Sequence, residues 1–384
     1  MIYLDHAATT PLRPEARAIL AEFAQADGPF ANPASAHALG QQMAARVAKA
    51  REDFADILGV QPTEIVFTSG ATEADNLAVM GRARFAQNKG RRLTVPRTEH
   101  KAVIDPVRHL QGQGWQVDWI DPGAAGVCTA EAVDAALQPD TTLACAMAVN
   151  NETGHIHDLP AIALACQDRG VPLHVDAAQA LGKIPLQTWA GVGSMAFSGH
   201  KLGAPAGIGA LYLRGRPRLG VEPLVFGGGQ ERGMRSGTLP AMLILAFVAA
   251  AKAAASAQAQ EHARLLELRE QLWRRVSRQV PHLIRNSPEN SSSPHILNIS
   301  VPHVQGDSLR ALLPDIALSS GSACAAAQAE SSYVLRAMGH DDAQANASLR
   351  LSFGHNTHAA EVDQAAEQII AAIQRLQSWH PEAK

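Results

Sequence analysis

The sequence predicts an α/β fold, with a large domain on a mainly parallel, seven-stranded sheet and a smaller α+β domain beside it. Three observations carry that reading. Short β-rich runs alternate with helix-length stretches between about Glu64 and Leu213, the composition then shifts to a long Ala/Leu/Glu/Arg stretch, and further strand-like runs follow a Ser/Pro/Asn-rich loop. At 384 residues the chain is long enough for two domains and a sizeable core.

The β-rich runs are "EIVFT", "RLTVP", "WQVDWI", "LACAMAV", "PLHVD", "SMAFS" and "GIGALYL", most of them followed by small or polar residues. Strands alternating with helices imply a mainly parallel sheet covered on both faces. Ligands of such sheets sit beyond the carboxyl ends of the strands, so the residues just after each run are candidates for a site. From about Pro240 to Val280 the helical pattern is unusually long and predicts a helix joining the two domains. After "RNSPENSSSPH" come "ILNISV", "DIALSS" and "LRLSF", mixed with helices. The expected division is a large domain over 15–255, and a small one formed by 1–14 with 256–384.

A hydrophobic share of 46%, a charged share of 18% and a formal net charge of −3 describe a globular chain with no electrostatic call for nucleic acid. The opening "MIYLDHAATTPL" lacks a signal-peptide layout, and no uncharged stretch reaches membrane-span length, so a cytoplasmic location without membrane partners is expected. Four cysteines are too few and too scattered for a disulfide framework or a zinc site. Cys128, Cys145 and Cys166 lie in apolar or helical patterns that suit buried packing. The "HIH" of His155 and His157 has no third ligand nearby, and no metal is expected.

Three strand ends carry chemistry. "EIVFTSGATEADNLAV" places Ser69, Gly70, Ala71 and Thr72 at a strand-to-helix turn, where backbone N–H groups and a hydroxyl can hold a phosphate; the same residues also fit a plain capped helix start. "PLHVDAAQALGK" ends a strand with Asp176 and Gln179, and a buried acid there fits either a helix cap or a protonated pyridine nitrogen. "FSGHKLGAPAGIGALYL" sets Lys201 in a dry strand-end loop, where a desolvated amine can condense with an aldehyde, although a surface lysine would fit too. Together, in that order, the three supply the handles that pyridoxal phosphate needs.

The wording of "LDHAATTPL", "NPASAHALG", "FTSGATEADN", "TEHKAV", "VNNETG", "HVDAAQ", "FSGHK", "GGGQERGMRSGT", "SSGSACAAAQ" and "SYVLRAMG" resembles the cysteine desulfurases of the NifS/IscS kind, from Ile2 to about Val362. These are fold-type I, pyridoxal 5'-phosphate enzymes of the class V aminotransferase group. The resemblance implies a Schiff base on Lys201, Asp176 on the pyridine nitrogen, and His100 stacked on the ring and assisting proton transfer. It implies Asn151 and Gln179 near the phenolic oxygen, and Ala71, Thr72, Ser198 and His200 around the phosphate. Thr238 would reach that phosphate from the neighbouring subunit of a homodimer. Arg350 would grip the substrate carboxylate, a fork-shaped task that suits Arg, and Asn32 belongs to the substrate-side "NPAS" motif.

Cys324 sits in "SSGSACAAAQAESS", a small-residue run expected to be mobile, and the resemblance makes it the thiolate that takes sulfur from L-cysteine, leaving L-alanine and an enzyme persulfide. Its spacing to "SYVLRAMG" resembles group I of the family. The persulfide would serve iron–sulfur cluster assembly or another thiolation acceptor. Two departures bear on that partner: Ala-Ala follows the cysteine where polar residues are usual, and the longer C-terminal tail that grips the iron–sulfur scaffold looks absent. A selenocysteine lyase on the same scaffold, and a sulfur-transfer partner with reduced catalysis, are the alternative readings. A nicotinamide-binding protein is excluded, since no GxGxxG turn follows the first strand.

Overall fold

The computed structural model describes residues 1–321 and 331–379. Its strands are β1 (Ile2–Tyr3), β2 (Ile65–Thr68), β3 (Arg92–Pro96), β4 (Gln116–Ile120), β5 (Thr141–Met147), β6 (Leu173–Asp176), β7 (Val192–Ser198) and β8 (Gly209–Leu213), followed by β9 (Ile284–Arg285), β10 (Ile296–Ser300), β11 (Ile316–Ala317) and β12 (Ser348–Ser352). The second to eighth form one seven-stranded sheet in the order β2-β8-β7-β6-β5-β3-β4. All of its strands run parallel except β8, which is antiparallel to both β2 and β7. Every residue of β2, β5, β6, β7 and β8 is buried, which explains why these runs read as continuous apolar stretches.

Helices cover the sheet. Ala38–Leu58 starts at His37, whose ring accepts the Gly40 N–H at 3.2 Å, and stops where Gly59 turns left-handed at φ 66°. Phe54 from this helix meets Phe197 of β7 edge-to-face at 5.4 Å and Phe247 of helix Ala241–Ser256 at 5.0 Å, joining three elements in one contact. The main core draws its buried residues from Ala16 through Ala254. A second core is made by Ile2 and Leu4 with residues from Leu265 to Leu376. Around it lie the antiparallel sheet β12-β10-β9 and the parallel pair β1-β11.

Two expectations need correction. The joining helix is two helices, Ala241–Ser256 and Gln258–Gln279, bent by 73° at Ala257. The first is almost wholly apolar and packs in the main core, whereas the second buries only Leu265, Leu268, Arg269, Leu272 and Val276 and turns toward the second core. The run "DIALSS" forms only a two-residue strand, because its partner is the short β1 at the chain start.

Candidate active site

Beyond the carboxyl ends of the strands lies a cavity of about 370 Å³. Ala71, Thr72, His100, Asn151, Asp176, Gln179, Ser198, His200, Lys201 and Arg350 all line it. Residues separated by most of the sequence therefore meet in one place.

One end of the cavity is built for an anion. Helix Ala71–Ala86 points its N-terminus inward, next to Ser198 and His200 at the end of β7. Gly209 allows this approach: a Cβ there would lie 2.7 Å from the Cα of Gly70. The Glu73 carboxylate accepts the Ser69 N–H at 2.8 Å and the Arg235 guanidinium at 2.8 Å, so the turn is tied to the loop that carries Arg235. His200 Nδ1 bonds with the Thr9 hydroxyl at 3.2 Å, and burial together with the charges of Lys201 and Lys183 pushes its pKa down to about 4. The ring is neutral at physiological pH.

At the floor stands Asp176, 6% exposed, with Oδ1 accepting the Ala178 N–H at 2.9 Å. Behind it His174 bonds Asp75 at 3.1 Å and Ser194 at 2.9 Å. Burial drives His174 down to about 3 and Asp75 well above the carboxylate range, so this contact is a hydrogen bond between neutral groups rather than an ion pair. The fully enclosed set ties helix Ala71–Ala86 to β6 and β7 and holds the anion end in fixed relation to Asp176.

His100 caps helix Lys101–Gly112, its Nδ1 accepting the Ala102 N–H at 3.1 Å. Burial lowers its pKa, against the pull of Asp176. The next residue inward, Glu99, accepts the Met147 N–H at 2.6 Å through one carboxyl oxygen, while the other has no partner; burial raises its pKa to about 8.

Arg350 is 1% exposed and held from three sides: Asp5 at 2.9 Å, the Asn151 carbonyl at 3.0 Å and the Ser319 hydroxyl at 3.1 Å. Its Nε and the Asn151 side-chain oxygen are buried without partners. A cation already oriented by Asp5, with its Nε–H unspent, is prepared for a carboxylate.

Some expected residues lie elsewhere. Asn32 is spent in a local turn, its Oδ1 accepting the Ala34 N–H at 2.9 Å, and it lines a separate cavity with Thr238, Arg51 and Glu231. Neither Asn32 nor Thr238 lines the Lys201 cavity of its own chain; both lie beside Ala44, Val47, Ala48 and Arg51 of helix Ala38–Leu58 instead. Cys324 lies outside the described residues. Cys128, Cys145 and Cys166 are buried as expected, and burial pushes Cys128 and Cys166 up to about 12.

Sequence reasoning missed Asp5, Ala7, Glu99 and Lys183. Asp5 and Ala7 lie in the "LDHAATTPL" motif, which carries them close to the cavity. Glu99 lies in "TEHKAV", just past the end of β3, and Lys183 ends "PLHVDAAQALGK", so both stand in strand-end motifs whose other residues drew the assignment.

The Aminotransferase class-V family matches residues 2–365. A cysteine desulfurase IscS of Serratia proteamaculans is 45% identical over 382 residues, covering 99% of this chain and 94% of the relative. Among solved structures, a NifS-like protein superposes with a TM-score of 0.90 at 31% identity, covering 98% of this chain and 100% of that one. SspA in complex with cysteine gives a TM-score of 0.79 at 32% identity, covering 92% and 99%. With its seven-stranded sheet and the cavity at the strand ends, the chain is of fold-type I and belongs to the class V aminotransferases, in the cysteine desulfurase family.

Proposed function

We propose that the protein is a pyridoxal 5'-phosphate-dependent cysteine desulfurase, converting L-cysteine to L-alanine and passing the sulfur to Cys324. The observation that carries the reading is the convergence of Lys201, Asp176, His100 and Arg350 on one cavity. The residues present fit the cofactor: inward-facing helix N–H groups suit a phosphate, a strand-end carboxylate suits a pyridine nitrogen, and Asn151 offers an unpartnered buried oxygen at the wall.

Ala71, Thr72, Ser198 and His200 would hold the phosphate, with Asp176 on the ring nitrogen and Lys201 joined to the aldehyde carbon. When bound, the cofactor would supply the electron sink that lets the carbon fragment take the Cβ–S bonding pair as the sulfur is transferred. Arg350 binds and orients the substrate carboxylate through its unspent Nε, while Asp5 keeps the guanidinium in place. His100 presents its Nε2 proton to the cavity. Lys201, once displaced by the substrate amine, moves a proton at the substrate Cα. The Cys324 thiolate forms an S–S bond with the substrate sulfur as the Cβ–S bond breaks, and the carbon fragment takes up protons to become alanine.

The unit of function in this reading is a cytoplasmic homodimer. Asn32 and Thr238 share one cavity away from their own Lys201, and Phe30 and Phe226 nearby in sequence are 79% and 76% exposed. That grouping suits a face covered by a second copy, with Thr238 reaching the copy's phosphate. Within each chain, 15–255 holds the cofactor, and 1–14 with 256–384 carries Arg350 and Cys324. The persulfide then passes to a sulfur-acceptor protein.

Anaerobic turnover with L-cysteine and a reductant tests the reading. Equal amounts of alanine and sulfide are expected, with sulfide lost in Cys324→Ala and both products lost in Lys201→Ala. Bound cofactor without alanine formation from L-cysteine would refute it.

A further inference from the structure

Gln179 is the one carboxamide of the cavity whose orientation is fully determined. Its Nε2 donates to the Ala7 carbonyl at 2.8 Å, and its Oε1 accepts from Lys183 Nζ at 3.4 Å and bonds His295 Nε2 at 3.2 Å. Ala7 offers only an acceptor, so a flipped amide would set oxygen against oxygen there, and the charged form of Lys183 would set nitrogen against ammonium. His295 follows from this. Its Nε2 must carry the proton, which leaves Nδ1 to accept the Ser293 hydroxyl. Gln179, His295 and Ser293 are 3%, 0% and 0% exposed, so water does not compete with these bonds. Both lone pairs of Oε1 are spent, and the second N–H of Nε2 is the polar group left for an occupant of the cavity.

We propose that Lys183, with His295 and Ser293 behind it, is a positioning residue that locks Gln179 as an N–H donor toward the phenolic oxygen of the cofactor. The proposal rests on the pyridoxal phosphate reading above. A donor there stabilises the phenolate and lowers the proton affinity of the bound cofactor. Lys183 itself is anchored through its carbonyl, which accepts from His262 at 3.1 Å. Its electrostatic neighbours are Lys201, Arg13, His6, His200 and His295. Burial first, then the charges of Lys201 and Arg13, push its pKa down to about 7. It stays a donor in either protonation state, so the lock holds across neutral pH.

The test is a pH titration of the absorbance of protein reconstituted with pyridoxal phosphate. Lys183→Met is expected to raise the midpoint by about one unit, roughly a tenfold change in proton affinity. Lys183→Arg is expected to stay near wild type. In a Gln179→Leu background, Lys183→Met should add no further shift. His295→Leu is a second route to the same result, with a rise that also vanishes in that background. An unchanged midpoint in both Lys183→Met and His295→Leu overturns the proposal, as does a Lys183→Met shift that persists without Gln179, since Lys183 would then act by charge alone. Wild-type protein that develops no cofactor absorbance counts against the cofactor reading instead.

Discussion

His100 Nδ1 accepts the backbone N–H of Ala102 at 3.1 Å, which places the proton of the neutral ring on Nε2. The capping bond of a helix thus decides what the site can do: His100 faces the cavity as a proton donor. His100→Gln is expected to lower kcat by about 10²–10⁴-fold, with a smaller change in KM. Because burial holds the ring pKa below 6.5, kcat measured against pH should show no His100 midpoint between pH 6.5 and 8. A midpoint in that window that disappears in His100→Gln would contradict the assignment.

Arg350 makes three bonds before any substrate arrives, to Asp5, Ser319 and the Asn151 carbonyl. A lysine cannot keep that fork and also reach a carboxylate. Arg350→Lys should therefore reduce kcat/KM for L-cysteine by roughly 10²-fold, the worth of one or two charge-assisted hydrogen bonds. Asp5→Asn, which leaves the guanidinium in place but less firmly oriented, should act mainly on KM. Steady-state kinetics separate the two.

Glu99 gives the fold a pH dependence. Its carboxyl is buried, with one oxygen unpartnered, and its pKa rises from 4.5 to about 8. Below pH 4.5 both folded and unfolded chains hold this proton and it has no effect. Between pH 4.5 and about 8 the unfolded chain releases it while the fold retains it, so stability is lost through that window. Glu99→Gln should therefore be more stable than wild type at pH 8, by roughly 1–3 kcal/mol, and the gain should shrink toward pH 5. Denaturant melts at both pH values measure it.

The buried thiols give a chemical prediction. Cys128, Cys145 and Cys166 are enclosed, and burial raises all three above the ordinary thiol range. In the folded protein they should resist a thiol reagent at pH 8, and peptide mapping should find them modified only after denaturation.

Much of the sheet was legible because β2, β5, β6, β7 and β8 are buried on both faces and must be apolar throughout. The reversed direction of β8 also has a sequence signal: the connection from Ser198 to Gly209 is too short for a parallel crossover. The bend at Ala257 had none, since no Gly or Pro marks it; the two helices simply part there toward different cores. The site residues at strand ends were readable from their settings. Asp5 and His295 were not, because each acts by holding another side chain across a long sequence separation. Lys183, only four residues from Gln179, was not either, because a lysine ending a turn reads as a solvent-facing amine rather than a buried partner of an amide.

Every role proposed for the cavity depends on Lys201 being the residue that holds the cofactor. Reconstitution with pyridoxal phosphate, borohydride reduction and peptide mapping tests this most directly. The predicted result is one pyridoxyl group per chain, on the peptide bearing Lys201. A label on Lys183 instead, or none at all in protein that has taken up the cofactor, would contradict it.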